Sequence, residues 1–388
     1  MPAMSKTIEK KAEEPMGKLK VFYVCRGTSL DYMVEFLNAM SRHVSAFVAL
    51  SSKEEAIADR LVPEVNVYGS GAPRVLSLKN IGAMYRLIRH IRSLNPDIVH
   101  LQGGVIWELL LKCFIRDAIF VVTLHEVAAH ISHHAIRRTS TPQFFIAQAM
   151  RIANLLIVHS PHVKQVVLQR YQRLVRGKLL FYAPLGVISH YGTGEASAAP
   201  KGPNILLFGS LSLYKGIETL IEAETLIRKA IPEVSIVIAG NCSKSEYYER
   251  LVGEGQQIDL RPKRQDDDET RALFKWADIL VLPYTKSTQS AVLQLGFSFG
   301  VPPVVTNVGG LPDVVKNEEN GLVVEPSDPV ALAKAAVRLL SDQVLREKVI
   351  KNIVVCRETV YNWNNIAQGI ADAYDSLLRP SPQKSKSA

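Results

Sequence analysis

The chain has 388 residues, of which 47% are hydrophobic and 21% are charged. Its length exceeds what one hydrophobic core usually organises, so two domains are expected, and its composition is that of a globular protein. The net charge of +9 is uneven, because residues 1–200 hold 24 Lys and Arg against 14 Asp and Glu, whereas residues 201–388 hold 22 against 23. No apolar run reaches membrane-spanning length, and four scattered cysteines without a C-x-x-C favour a reducing cytoplasm over a disulfide framework.

Strand and helix patterns alternate through the first half. Residues 1–17 are charged, lack the apolar core of a signal peptide and are expected to form a flexible leader. Amphipathic helices are predicted over 31–40 and 80–94, between short apolar runs that read as strands. Such alternation predicts a parallel sheet covered by helices on both faces. The predicted strands are 19–25, 44–50, 96–101, 119–124, 153–160 and 177–182.

The same pattern restarts after a segment rich in small residues, Pro and Gly, at residues 192–203, which predicts a linker. The chain is therefore predicted to be α/β, with two doubly wound domains in tandem. Their carboxyl strand ends would face each other across a cleft, the usual ligand site of such sheets. The predicted second set of strands is 204–210, 234–240, 277–284, 301–307 and 321–326, with helices from about Lys215, over 290–299 and from 329 on.

The segment VVTLHEVAAHISHH contains four histidines and one glutamate. A zinc helix of the H-E-x-x-H type needs histidines four residues apart with a Glu after the first, but His130 follows His125 by five residues. This spacing disfavours a metal site. His125 ends a β-branched run, which predicts a position at the carboxyl end of a buried strand, where α/β sheets bind ligands. The remaining histidines are expected in a polar loop: His130, His133 and His134.

Two loops of the second half have the features of an anion site. FGSLSLYKG combines a glycine turn at Gly209 with Lys215 near a helix start, where a lysine opposes the helix dipole unless an anion is bound. A solvated surface lysine is the alternative. The second loop places three polar residues at the start of a buried helix, where they bind a sugar or phosphate oxygen or serve only as a cap. These are Thr288, Gln289 and Ser290.

Other enzyme classes are disfavoured by the motifs. The first strand is followed by Arg26-Gly27-Thr28 instead of G-x-G-x-x-G, which argues against a dinucleotide enzyme. Asp266-x-Asp268 resembles a metal-binding D-x-D, but acidic residues are favoured in the first turn of any helix, and we prefer that interpretation. No Asp/Glu pair for glycoside hydrolysis stands out.

The basic first half predicts an anionic partner or, equally, a solvated surface without one. An anionic lipid surface and a phosphorylated acceptor are the favoured partners. Nucleic acid is not expected, because no nucleic-acid module is present and aromatic residues do not interleave with the basic ones.

The order of these motifs resembles that of the retaining GT-B glycosyltransferases of the family 4 type. The resemblance covers nearly the whole chain and is carried by PDIVHLQGG, VVTLHE, LIVHSPHVKQVV, FGSLSLYKGIETLIEA, ADILVLPY, SFGVPPVVTNVGGLPDVV and NGLVVEPSDPVALAKAA. It implies transfer of a hexose from a nucleotide diphosphate sugar to a hydroxyl of a glycan or lipid-linked acceptor, with retained configuration. Neither a metal nor a cofactor is implied, and the expected location is cytoplasmic or peripheral on the cytoplasmic membrane face.

The resemblance also implies an organisation and residue roles. It implies an acceptor-binding domain (18–195), a donor-binding domain (196–360) and a helix crossing back to the first domain (361–378). The composition of residues 379–388 separately predicts a disordered tail. His125 would lie beside the transferred sugar, and Lys215 would neutralise the diphosphate. The other implied donor-binding residues are Gly27, Gly209, Ser210, Lys263, Thr288, Gln289 and Ser290.

Three positions depart from the family pattern. Ser210 stands where an Arg is usual, and Ser287 and Leu295 stand where two Glu are usual. Loss of one charge-assisted hydrogen bond costs about 1.5–3 kcal/mol, so donor affinity is expected to differ. The alternative function is a non-catalytic GT-B partner or regulatory subunit that lost these donor contacts.

Overall fold

The computed structural model describes most of the chain. The described residues are 17–25, 29–50, 54–68, 80–102, 108–125, 140–193, 202–253 and 256–378. The predictions for Gly27, for the histidines after His125, for most of the leader and linker, and for the tail 379–388 lie outside these residues.

The first sheet has seven parallel strands in the order β3-β2-β1-β4-β5-β6-β7. The chain crosses from one edge of the sheet to its middle after β3, which places the topological switch point between β1 and β4. The strands are β1 (Lys20–Cys25), β2 (Ser45–Ala49), β3 (Asn66–Tyr68), β4 (Ile98–Gln102), β5 (Ile119–Leu124), β6 (Leu155–Val158) and β7 (Leu179–Tyr182).

Helices cover both faces of this sheet, because its strands are apolar on both sides. Helix α1 (Leu30–Met40) packs on one face, together with a short 3-10 helix at Glu54–Arg60. The other face is covered by the helices that follow β3 to β6. These are α2 (Ile81–Leu94), α3 (Glu108–Phe114), α4 (Ser140–Ile152) and α5 (Pro161–Arg170), with α6 (Gln172–Val175) after them.

The second sheet has six parallel strands in the order β10-β9-β8-β11-β12-β13, with its switch point between β8 and β11. The strands are β8 (Asn204–Phe208), β9 (Ser235–Ala239), β10 (Ile258–Arg261), β11 (Ile279–Leu282), β12 (Pro303–Thr306) and β13 (Leu322–Val324). The helices are α7 (Ile217–Ala230), α8 (Ser245–Val252), α9 (Asp267–Trp276), α10 (Ala291–Ser298), α11 (Leu311–Val314), α12 (Pro329–Ser341) and α13 (Gln343–Glu358).

The last described helix, α14 (Trp363–Leu378), packs on the first sheet instead of the second. Trp363 Nε1 donates to the backbone oxygen of Val187 at 2.7 Å. Near the other end of the helix, the Tyr374 hydroxyl lies 2.6 Å from Nδ1 of His100 on β4. Both ends of α14 are therefore hydrogen-bonded to the first half of the chain.

The predicted α/β architecture is confirmed, and two strands were missed. β3 and β10 form the outer edges of their sheets, and most of their side chains are exposed or half-buried. A further difference concerns Lys215, which lies in a 3-10 turn at Leu213–Lys215. Gly216 follows with φ +64°, a value that favours glycine, and α7 begins only after it.

Candidate functional site

The carboxyl ends of β8, β9 and β10 meet at close range. Gly209 has φ +110°, and a Cβ there would lie 3.0 Å from Cγ2 of Val292 in α10. Gly240 follows β9, and its backbone N donates to Arg261 O at 3.1 Å. There is no room for a side chain at Gly240, because a Cβ would lie 1.8 Å from Gly209 O. Glycine at these two positions lets the backbone turn tightly, so that a ligand can approach its amides.

Lys215 is buried beside this turn, with 6% of its surface exposed. Its Nζ donates to the Tyr284 hydroxyl at 2.5 Å and lies 4.0 Å from the centre of that ring. Among the described residues, no carboxylate forms an ion pair with it. Burial lowers the pKa of Lys215, and the neighbouring Tyr214 opposes this shift. A buried ammonium with this surrounding favours an anionic ligand, because transfer of an unpaired charge from water is costly.

The loop before α10 lies on the other side of Lys215. The Ser290 hydroxyl accepts from Leu293 N at 3.2 Å, so it caps α10, and it lies 3.4 Å from the Tyr284 hydroxyl. Tyr284 therefore connects Lys215 to the start of α10. Gln289 Oε1 is buried without a hydrogen-bond partner among the described residues, and Thr288 is buried. The capping interpretation of Ser290 is confirmed, and its role toward a donor stays a prediction.

Other residues proposed for donor binding lie in different surroundings. Ser210 is exposed at the turn after β8. Lys263, after β10, is exposed and forms an ion pair with Glu269 at 2.7 Å, and its role toward a donor stays a prediction. Asp266 caps α9 by accepting from Glu269 N at 2.8 Å, which confirms the helix-start interpretation of the acidic run. The described residues contain no group of three or more potential metal ligands.

Leu295 and Ser287, which stand at the two Glu positions of the family pattern, contribute to packing and to the shape of a loop. Leu295 is 4% exposed and packs in the core of the second domain. The Ser287 hydroxyl donates to Gln289 O at 3.1 Å, which holds the loop before α10. The turn at Gly309 packs directly against it, since a Cβ at Gly309 would lie 1.5 Å from Ser287 O.

A second polar cluster lies at the carboxyl edge of the first sheet. His125 Nε2 donates to Gln102 Oε1 at 3.0 Å, and the Tyr32 hydroxyl donates to the same oxygen at 3.3 Å. The His125 ring lies edge-on to Tyr32 at 5.0 Å and 4.9 Å from the ring of His159. Burial lowers the pKa of His125 well below its ordinary value, and His159 and His100 lower it further. His125 is therefore a neutral hydrogen-bonding group at neutral pH.

Gln102, Tyr32 and His159 were not among the predicted site residues. Gln102 ends β4, and His159 directly follows β6, on either side of the strand that precedes His125. One polar residue at the end of each neighbouring strand was the available signal. Gln102 Nε2 and His159 Nε2 are buried without a hydrogen-bond partner among the described residues.

The two halves touch at the start of α5. Asp313, in α11 of the second half, accepts from His162 N at 2.9 Å. A Cβ at Gly310 would lie 3.1 Å from the Ser160 hydroxyl. Ala291 packs against hydrophobic clusters of both halves. The carboxyl edges of the two sheets are therefore in contact, although no hydrogen bond or ion pair among the described residues joins His125 to Lys215.

This arrangement, two Rossmann-like domains with polar groups at their facing carboxyl edges, defines a GT-B protein. A family model described as glycosyl transferases group 1 matches residues 202–342, and one described as glycosyltransferase family 4 matches residues 27–187. The two models together match most of the chain, and the chain belongs to the GT-B glycosyltransferases of the family 4 type.

Relatives agree with the glycosyltransferase assignment, and solved structures agree with the fold. An uncharacterized glycosyltransferase of Methanocaldococcus jannaschii is 34% identical over 175 residues, which span 44% of each chain. A putative glycosyltransferase of Bacillus subtilis is 27% identical over 75% of each chain. Sucrose-phosphate synthase from Thermosynechococcus elongatus superposes with TM-score 0.72 at 18% identity, covering 93% of this chain and 99% of that one. HepE from Anabaena, in complex with UDP and glucose, superposes with TM-score 0.68 at 17% identity, covering 92% and 100%.

Proposed function

We propose that this glycosyltransferase moves a hexose from a nucleotide diphosphate sugar to a hydroxyl and retains the anomeric configuration. The observation that carries the proposal is Lys215, a buried ammonium beside a glycine turn and a capped helix start. The structure of HepE with UDP-glucose supports a donor of the same class. The acceptor is proposed to be a glycan or a lipid-linked intermediate on the cytoplasmic face of a membrane.

The proposed chemistry needs stabilisation of a departing diphosphate. Negative charge grows on that group as the bond to the sugar breaks, and preorganised cations and amides stabilise it. Lys215 and the backbone amides after Gly209 and at the start of α10 would supply this stabilisation. The leaving phosphate oxygen would itself take the proton of the acceptor hydroxyl on the same face of the sugar, so no metal, cofactor or protein nucleophile is required. Neutral His125 would hydrogen-bond the sugar.

Calorimetry with a panel of nucleotides and nucleotide sugars, followed by an assay of nucleotide release, tests the proposal. We expect one nucleotide diphosphate to bind in the wild type and to bind at least tenfold more weakly in Lys215→Met. Lys286→Met is a matched control, because Lys286 is an exposed lysine of the neighbouring loop. Equal binding by both variants would contradict the proposal.

A non-catalytic GT-B partner is the second candidate. Leu295 favours this candidate, because a buried leucine occupies the position of a family glutamate. A leucine side chain cannot accept hydrogen bonds from the ribose hydroxyls of a donor nucleotide. Failure of every nucleotide to bind, together with absence of turnover, would support this candidate and not the transferase.

A further inference from the structure

The positive charge of the chain is concentrated in one segment. Residues 80–182 hold 13 Lys and Arg against 4 Asp and Glu, whereas the rest of the chain holds 33 of each. The whole net charge of +9 therefore arises from the segment that contains helices α2 to α6. These helices follow the strands from β3 to β6, and α2 to α5 pack on the same face of the first sheet.

Helix α2 presents this charge to solvent. Leu87 and Ile91 face the core, and the exposed side carries Arg86, Arg89 and Arg92. The helix contains no acidic residue. Three guanidinium groups on one exposed helix side form a strong local site for anions.

Large apolar side chains are exposed on the same layer of helices. Ile81 and Tyr85 in the first turns of α2 are 57% and 65% exposed, and Phe144 near the start of α4 is 58% exposed. Phe114 on α3 is 51% exposed. Helices that follow parallel strands begin at the carboxyl edge of the sheet, so Ile81, Tyr85 and Phe144 lie toward the edge that carries His125.

We infer that the outer side of α2 to α4 docks on an anionic lipid membrane. Arginines attract acidic headgroups, and exposed aromatic and aliphatic side chains enter the boundary between headgroups and acyl chains. A nucleic acid would use the arginines, but it offers no apolar phase for Ile81 and Phe144. The inference rests on the proposed function, since it places the cleft next to the bilayer from which a lipid-linked acceptor would be taken.

Co-sedimentation with vesicles tests this surface. We expect tight binding to vesicles that contain phosphatidylglycerol and weak binding to pure phosphatidylcholine vesicles. The variant R86Q/R89Q/R92Q is expected to lower the partition coefficient about a hundredfold, because each of the three cations contributes about a fivefold factor. The variant Y85S/F144S is expected to lose the binding that persists at raised salt.

The matched control is K334Q/K348Q/K351Q, which removes the same charge from exposed positions of the second domain. It is expected to bind within about twofold of the wild type, because its lysines lie outside the docking surface. Thermal melts of all variants check folding. Equal loss of binding in the control, insensitivity to lipid charge, or equally tight arginine-dependent binding of a single-stranded RNA would overturn the inference.

Nucleotide binding measured without vesicles separates this inference from the proposed function. Loss of vesicle binding with intact nucleotide binding would leave the transferase proposal standing and concern the surface alone. Absence of nucleotide binding in a protein that still binds acidic vesicles would contradict the proposed function and leave the surface in place.

Discussion

The ammonium group of Lys215 is buried and donates to the Tyr284 hydroxyl at 2.5 Å, and no carboxylate among the described residues forms an ion pair with it. We expect Lys215→Met to lower turnover about 10²–10³-fold, the usual effect of removing one preorganised donor to a developing anion. The free energy of unfolding is expected to stay equal or to rise, because a buried charge is replaced by an apolar side chain of similar length.

Steady-state kinetics and urea unfolding of Lys215→Met and of the control Lys286→Met check this prediction. Lys286→Met should leave both turnover and stability close to wild type. Burial lowers the pKa of Lys215, so its ammonium group loses its proton earlier as pH rises. The donor affinity of the wild type is therefore expected to fall with rising pH, and to do so at a lower pH than if an exposed lysine bound the donor. A variant that loses activity only because it unfolds would contradict the prediction.

Gln102 fixes the orientation of His125, and the second prediction concerns this pair. Its Oε1 accepts from His125 Nε2, so Nδ1 remains the acceptor nitrogen of the neutral ring. We expect His125→Ala to lower kcat/KM about 10–150-fold, the equivalent of one lost strong hydrogen bond. Gln102→Leu should have a smaller effect on kcat, and Gln102→Glu should retain more activity than Gln102→Leu because it keeps an acceptor oxygen.

His43→Asn provides the control for the second prediction, since His43 lies at the opposite end of α1 from Tyr32. Its kinetics should match the wild type. If Gln102→Leu and the control were indistinguishable, Gln102 would have no part in positioning His125.

Much of this fold follows from local patterns, because buried parallel strands are short apolar runs and their ends carry the ligand-binding groups. These patterns correctly predicted β5 before His125 and the glycine turn after β8. The edge strands β3 and β10 were missed because three or four half-exposed residues carry no apolar signal. Tyr284 and Gln102 were missed for a different reason: their importance arises from contacts to residues 69 and 23 positions away.

Buried histidines predict a loss of stability in mild acid. Burial lowers the pKa of His100 to about 3 and that of His159 to about 4. Between these values and the ordinary pKa of 6.5, the unfolded chain binds protons that the folded chain does not. The free energy of unfolding should therefore fall as pH decreases below about 6.5, by up to about 1.4 kcal/mol per pH unit for each histidine.

Urea unfolding at several pH values measures this slope. His159→Gln should reduce the slope by about one proton between pH 6 and 5, while slopes above pH 7 should be the same in both proteins. An unchanged slope in the variant would show that His159 takes up its proton in the folded state.

Asp278 and Arg346 form a buried ion pair at 3.2 Å, and each side chain is only 3% exposed. Asp278 also accepts from Asn204 N at 3.1 Å, at the start of the central strand β8. Removal of Arg346 leaves the buried carboxylate of Asp278 without the opposite charge of this pair, so Arg346→Ala should lower the free energy of unfolding by about 3–5 kcal/mol.

The exposed pair Arg338 and Glu318 is the control for this prediction, since its side chains are 45% and 46% exposed. Arg338→Ala should cost about 0–1 kcal/mol, as exposed pairs do. Chemical denaturation measures both values, and similar losses in the two variants would contradict a special role for the buried pair.

Asp313 connects the two halves through the start of α5. Pro161 begins this helix and has no N–H, Ser160 accepts from Val163 N at 3.1 Å, and Asp313 of the other half accepts from His162 N at 2.9 Å. A carboxylate at a helix N-terminus contributes about 1 kcal/mol. We call the arrangement with this contact closed and an arrangement of the halves without it open. Asp313→Ala should therefore shift the equilibrium between the two about fivefold toward the open arrangement.

The radius of gyration from small-angle scattering, or the distance between labels placed on the two halves, measures this shift. Asp328→Ala is the control, because Asp328 caps α12 within the second half by accepting from Ala331 N at 2.8 Å. It should lower stability by about 1 kcal/mol without changing the radius of gyration. If donor binding requires the closed arrangement, Asp313→Ala should weaken donor binding by the same factor by which it shifts the equilibrium. An unchanged radius of gyration and an unchanged donor affinity would show that this contact does not hold the halves together.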